Sequence, residues 1–385
     1  MQVSTYHVSS QHDLEALRAA VSQDADLIIV YASPIFFEND ATREILLTQQ
    51  SPIVGCSSAG EIYQDKVYDD SAVLTVIRFE QGSSCRVNAT LIDTMSESFE
   101  AGKRAVSPLV SEQLNAVFCL APGLDINGSA LIEGMSSILS PDVGISGGLA
   151  GDNANFKQTY VICNGEMSQR MCVAVGFYGD SLSLDYGAFG GWRSFGPARQ
   201  VTRAEDNILY ELDGIPALDL YKKYLGDYAN DLPASGLLFP FEVLTENLQA
   251  SGLIRTILGV DNVNDALILA GDIVEGQFLR LMHASTDDLV DGAEIAAQEV
   301  ASQIPKTSPD DGNKSIALLT SCVGRKLVMG ERVDEETEAV MSFLPQSTHI
   351  CGFFSYGEMN PFSANSKTRL HNQTMAITLL RERLS

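Results

Sequence analysis

The chain is predicted to be an α/β protein in which repeated βαβ-plus-strand units form helix-covered sheets in two domains. Three observations lead there. A strand, helix, strand pattern recurs three times along the 385 residues. The strands flanking each helix are continuous apolar runs, as a sheet covered on its face requires. Each copy closes on a loop of small residues that ends in glycine followed by an acid.

The first copy, residues 26–62, has the strand LIIVYAS, a helix near 39–49, Pro52, and the closing segment IVGCSSAGEI. The second, residues 116–153, has AVFCLAP, a helix near 127–139, Pro141 and GISGGLAGDN. The third, residues 315–359, has SIALLTS, a helix near 334–343, Pro345 and HICGFFSYGEM. Aligning Gly60-Glu61, Gly151-Asp152 and Gly357-Glu358 puts Gly55, Ser146 and Gly352 in register. A further strand follows each loop: SAVLTVIRF, TYVICN and QTMAITLL. In such a sheet the ligand-facing loops lie at the carboxyl ends of the strands, where the Gly-acid loops are expected. Glycine there also serves tight turns and close approaches. Between the second and third copies, Asp213-Gly214 and Pro216 mark a turn and the start of a helix over 217–225, so a domain boundary is expected near residue 220.

A chain that is 45% hydrophobic buries a large core. Its net charge of -25 is spread along the sequence and opposes binding to nucleic acid or anionic lipid. No apolar run reaches the roughly 20 residues of a membrane-spanning helix, and no secretory signal pattern opens the chain, so a cytoplasmic protein without membrane insertion is expected. Seven cysteines without a CxxC pair read as reduced thiols in a core.

P-loop, HExxH, GxGxxG and CxxCH signatures are all missing from the sequence. Five histidines are too few for a dense metal cluster but sufficient for a single axial ligand. His7 and His12 are expected to be solvated near the terminus, and His349 to be hydrogen-bonded in a buried strand. His371 follows the third Gly-acid loop and is the first candidate metal ligand; His283, at the end of FLRLMHAS, is the alternative. Arg325, at the end of the third copy's first strand, can clamp a carboxylate bidentately or pair with Glu358 or another loop acid. Cys322 is a soft donor only if its thiol pKa is lowered. Trp192 and Arg193, in GGWRSFGP, can line a pocket or form a packed corner between domains. The acids Glu61, Asp152 and Glu358 offer acid–base chemistry if their loops converge, but no partnered nucleophile accompanies them, and a sensor is expected rather than an enzyme.

The segments GCSSAGEI, GGLAGD, GGWRSFGP, DGIPALDLYKKYLG, SCVGR, GFFSYGE and LHNQT, in this order, resemble the FIST domain family of intracellular sensory proteins. The resemblance implies a FIST N-like domain over residues 1–220, holding two repeat copies and the Trp192 segment, and a FIST C-like domain over 221–385. Similar proteins include bacterial nitric-oxide-sensing haemoproteins. Haem b, a diatomic gas and a separate histidine kinase partner are therefore implied, with a small ligand such as an amino acid, bound without haem, as the alternative. The implied cofactor-binding residues are His371, Arg325, Tyr356, Glu358, Trp192 and Arg193; no catalytic residue is implied.

Overall fold

The computed structural model describes residues 1–305, 315–363 and 366–383. The three copies are real, and each is longer than its sequence signature. An upstream strand and helix precede every one: Gln2–Val8 with Leu14–Val21, Ser84–Leu91 with Ser98–Val106, and Leu182–Phe189 with Thr286–Gln303. The parallel core pairs follow. Leu27–Ala32 lies beside Ile53–Ser57, Leu114–Ala121 beside Gly144–Leu149, and Ser315–Cys322 beside Thr348–Ser355. The last strand of each unit, Ala72–Arg78, Met171–Tyr178 or Met375–Glu382, returns antiparallel to the first core strand and carries the upstream strand on its other side.

The helices expected within the copies form at Asp40–Leu47, Gly128–Ser136 and Asp334–Phe343. Asn39 and Asn127 start the first two, accepting from the backbone amides of Ala41 and Thr42 and of Ala130. One strand differs from expectation. TYVICN supplies the short strand Val161–Cys163 of a hairpin, and the second unit's closing strand is Met171–Tyr178.

Each unit also gives a hairpin away. The hairpin of the first unit, Glu61–Tyr63 with Lys66–Tyr68, extends the third unit's sheet by pairing with Thr348–Ser355. That of the second unit, Val161–Cys163 with Glu166–Ser168, extends the first unit's sheet beside Ile53–Ser57. That of the third unit, Gly357–Asn360 with Arg369–His371, extends the second unit's sheet beside Gly144–Leu149. The exchange is cyclic, so three six-stranded sheets share one strand order. Their facing sides form a common core in which Tyr31 stacks on Phe353 with ring centroids 4.6 Å apart. Helices cover the opposite sides, as where Leu17, Phe37 and Ile45 pack on Ile28 and Val30.

The third unit is interrupted. Between its upstream strand and helix the chain makes a nine-stranded antiparallel sheet around helix Ala217–Leu225. Residue 220 lies inside the helix Ala217–Leu225, on which this inserted sheet packs. No helix among the described residues is long and apolar enough to cross a membrane.

Candidate ligand site at the neck of the inserted sheet

The three Gly-acid loops mark the crossings at which a chain leaves its own sheet for the next, and they interlock. The amide of Ala59 donates to the carbonyl of Phe354 at 2.9 Å, that of Gly151 to Ser57 at 2.9 Å, and that of Tyr356 to Leu149 at 3.1 Å. A Cβ at Gly151 would stand 2.7 Å from the Ala59 nitrogen, so only glycine fits this crossing.

The acids are spent inside it. Glu61 is fully buried and accepts from the Ser58 hydroxyl and from the Ser71 amide and hydroxyl, at 3.1 and 2.8 Å. Glu358, equally buried, accepts from Ser355 at 2.8 Å and from the Thr374 amide and hydroxyl at 3.1 and 3.0 Å. Burial pushes their carboxyls up to about 7 and about 8, against the lowering effect of those hydroxyls and amides. Asp152 accepts from the amides of Phe156, Lys157 and Gln158 at 2.7–2.8 Å and from the Tyr356 hydroxyl. These carboxyl groups hold loops.

Arg325 is fully buried, and its Nε and Nη2 both meet Glu336 Oε2 at 2.9 Å. The acid is on a helix, not in a loop, and differs from the Glu358 pairing considered above. The remaining guanidinium hydrogens go to the carbonyls of Gly190 and, at 2.8 Å, Leu289. Gly190 is where the chain departs for the inserted sheet and Leu289 is where it has returned, so Arg325 pins both sides of that neck. Arg193, exposed, forms a second tie across the neck to Asp288. Trp192 is buried and donates from Nε1 to the Gln373 carbonyl at 2.9 Å.

Around this neck the segment 371–374 carries hydrogen-bonding capacity that the described residues do not satisfy. His371 is 1% exposed. Its Nε2 stands 2.8 Å from the Asn360 carbonyl, which can only accept, so Nε2 holds the proton and Nδ1 is a bare acceptor. Nδ1 is buried and has no partner among the described residues. Burial, with Arg255 and Arg369 nearby, pushes the imidazole down to about 4, so it is neutral. Both side-chain atoms of Asn372 and Oε1 of Gln373 are also buried and unpaired. Each such atom costs about 1–3 kcal/mol unless something completes it.

Arg255 stands close by and had not been singled out from the sequence. It is 6% exposed, donates only to the carbonyls of Asp272 and Ile254, at 3.0 and 3.1 Å, and makes no ion pair among the described residues. Burial pushes its guanidinium down to about 10. The one signal in the sequence was a lone arginine inside the apolar run GLIRTIL.

The remaining candidates lie elsewhere. His283 is exposed at the end of Phe278–His283, its ring against Phe195 at 5.4 Å. Tyr356 faces Asp152, away from the neck. Cys322 is buried, which raises its thiol pKa and leaves it a core residue. His7, expected to be solvated, lies tilted against Tyr68 with ring centroids 3.9 Å apart and has its Nε2 buried. All seven cysteines are free, and among the described residues no group of three His, Cys, Asp or Glu side chains is arranged for a metal.

The chain matches the FIST N domain over residues 26–215 and the FIST C domain over residues 217–361. It is 22% identical to an uncharacterized protein of Methanocaldococcus jannaschii, over 90% of this chain and 72% of that one. A cyanuric acid hydrolase structure from A. caulinodans aligns over 100% of this chain and 99% of its own, with a TM-score of 0.37 and 7% identity. The two domain matches cover most of the sequence, and the chain belongs to the FIST family of sensory, signalling domains.

Proposed function

We propose that this FIST protein is a sensor that binds a small polar ligand at the neck between the inserted sheet and the third unit, and signals through a separate partner such as a histidine kinase. The observation that supports this is the unsatisfied set at the neck, three acceptors (His371 Nδ1, Asn372 Oδ1, Gln373 Oε1) and one donor group (Asn372 Nδ2), with Arg255, a guanidinium in no ion pair among the described residues, beside it. An ammonium supplies three donors and a carboxylate accepts from a guanidinium, so an amino acid carries the complementary groups. A ligand held here touches the inserted sheet through Arg255 and the third unit through 371–373. It shifts the relation of the two only by binding their arrangements with different affinity. The use of all three loop acids as structural acceptors supports a sensor rather than an enzyme.

Thermal unfolding with each of the common amino acids tests this reading. A midpoint raised by at least one of them, and unchanged by it in Asn372→Ala and Arg255→Met, is expected. No response to any of them removes the amino-acid reading.

Haem-dependent sensing of nitric oxide has one observation on its side, the bare Nδ1 of His371. The packing does not fit a macrocycle there: the ring is enclosed, Phe362 meets its edge at 4.2 Å, and Arg325 is already spent on Glu336. A stoichiometric Soret band after haem addition, lost in His371→Ala, is the result that would establish it.

A further inference from the structure

The cyclic strand exchange makes three ends of the molecule equivalent. At each, the carboxyl ends of an upstream strand and a first core strand meet the amino end of a closing strand. In the third unit that end is the neck, which Trp192, Arg325 and Gln373 tie to the inserted sheet. In the first unit it is closed by polar contacts, Ser33 to Asp70 at 3.2 Å and Asn153 to both at 3.3 Å. In the second unit it is open. A cleft of about 370 Å³ lies where Ser84–Leu91, Leu114–Ala121 and Met171–Tyr178 meet, a volume suited to a small metabolite.

We propose that this cleft is a second ligand site, for a small carboxylate anchored on Lys157 and Arg170. Lys157 lines the cleft and makes no ion pair among the described residues. In a chain of net charge -25 an unpaired ammonium in a concave site is the natural anchor for an anion. Arg170, on the same lining, shares its charge with Asp93 at 3.1 Å and keeps guanidinium hydrogens for a ligand. Gln158 and Thr94 add neutral donors. Asp93 and Asp125, also in the lining, disfavour a doubly charged phosphate and select a carboxylate with a neutral or cationic remainder.

The anchoring loop is rigid from below. The Asp152 carboxylate accepts from the amides of Lys157 and Gln158 at 2.7 and 2.8 Å, so the crossing acid of the second unit sets the cleft wall. Asp152 is a positioning residue here, and it is tied through Tyr356 to the third unit.

The site does not depend on the neck reading, and binding measurements separate the two. Calorimetric titration of the full chain with lactate, betaine and inorganic phosphate is run on the parent, Lys157→Ala, Arg170→Ala and Asn372→Ala, with circular dichroism confirming that each variant is folded. Lactate or betaine is expected to bind the parent and Asn372→Ala alike, and about tenfold or more weakly after either cleft substitution, as loss of a charge-assisted contact requires. Phosphate is expected to bind more weakly than either. Absence of binding by both carboxylates, or affinity that survives Lys157→Ala, overturns the proposal. A response abolished only by Asn372→Ala assigns the ligand to the neck and also overturns it.

Discussion

The hydroxyl of Tyr356, in the third unit, donates to the carboxylate of Asp152, in the second, and accepts from the Asp152 amide at 3.2 Å. Its ring stacks on Phe156, centroids 4.3 Å apart, over the loop that the same carboxylate organises. One side chain thus couples two repeat units at the point where their chains cross.

Tyr356→Phe keeps the stacking and deletes the hydroxyl. A buried hydrogen bond to a charged group contributes about 1.5–3 kcal/mol, so a loss of that order in urea-derived stability is expected. Asp152→Asn is expected to cost more, because three backbone amides share that carboxylate. A Phe variant as stable as the parent would show that Tyr356 is held by its ring alone.

Arg325 and Glu336 form a fully buried pair, and removing one partner strands the other charge. Arg325→Met or Glu336→Leu alone is expected to destabilise by about 3–5 kcal/mol, and the double substitution to recover a large part of it. Arg325 also holds the Gly190 and Leu289 carbonyls, so the recovery is incomplete. Proteolysis of the parent and the double variant gives a second readout, since a loosened neck exposes the chain near Gly190 and Leu289.

Gly324 is required by contact with Gln373. A Cβ there would run into the amide group of that side chain, whose Nε2 is fixed on the Leu237 carbonyl at 2.9 Å. Gly324→Ala is expected to lower the unfolding midpoint and to weaken any ligand that answers to Asn372, since Gln373 must move to admit the methyl group. Full retention of both would mean that Gln373 rotates freely.

How far the sequence reveals this arrangement depends on burial. The core strands LIIVYA, AVFCLA and SIALLTSC are wholly buried, and their unbroken apolar runs mark them as covered strands. The upstream strand Ser84–Leu91 is half exposed and alternates with polar residues, and its third-unit counterpart is separated from its helix by the inserted sheet, so neither stands out. Which sheet a hairpin joins is a tertiary fact with no local signature; the repeated Gly-acid pair is its trace. At the neck, Arg325, Trp192, Glu358 and His371 come together around 371–374. Arg193 and Tyr356 make ties instead, and Arg255 stays hidden because nothing in one sequence tells an unpaired buried arginine from a paired one.

The buried acids Glu358 and Glu61 also set a pH dependence of the fold. Their carboxyls are pushed from an ordinary 4.5 up to about 8 and about 7 by burial, so between those values the folded chain holds protons that the unfolded chain has released. Stability from this source is fully present below about pH 4.5 and is lost as pH rises through the folded values. The slope is at most about 1.4 kcal/mol per pH unit for each group. Urea midpoints are therefore expected to fall from pH 5 to pH 8, most steeply below pH 7, where both acids contribute. Glu358→Gln presents the same shape to Ser355 and Thr374 without a titrating proton. It is expected to flatten the curve above pH 7, where Glu61 has finished, and to leave part of the slope at lower pH. A variant whose midpoints track the parent at every pH would show that Glu358 does not hold the extra proton.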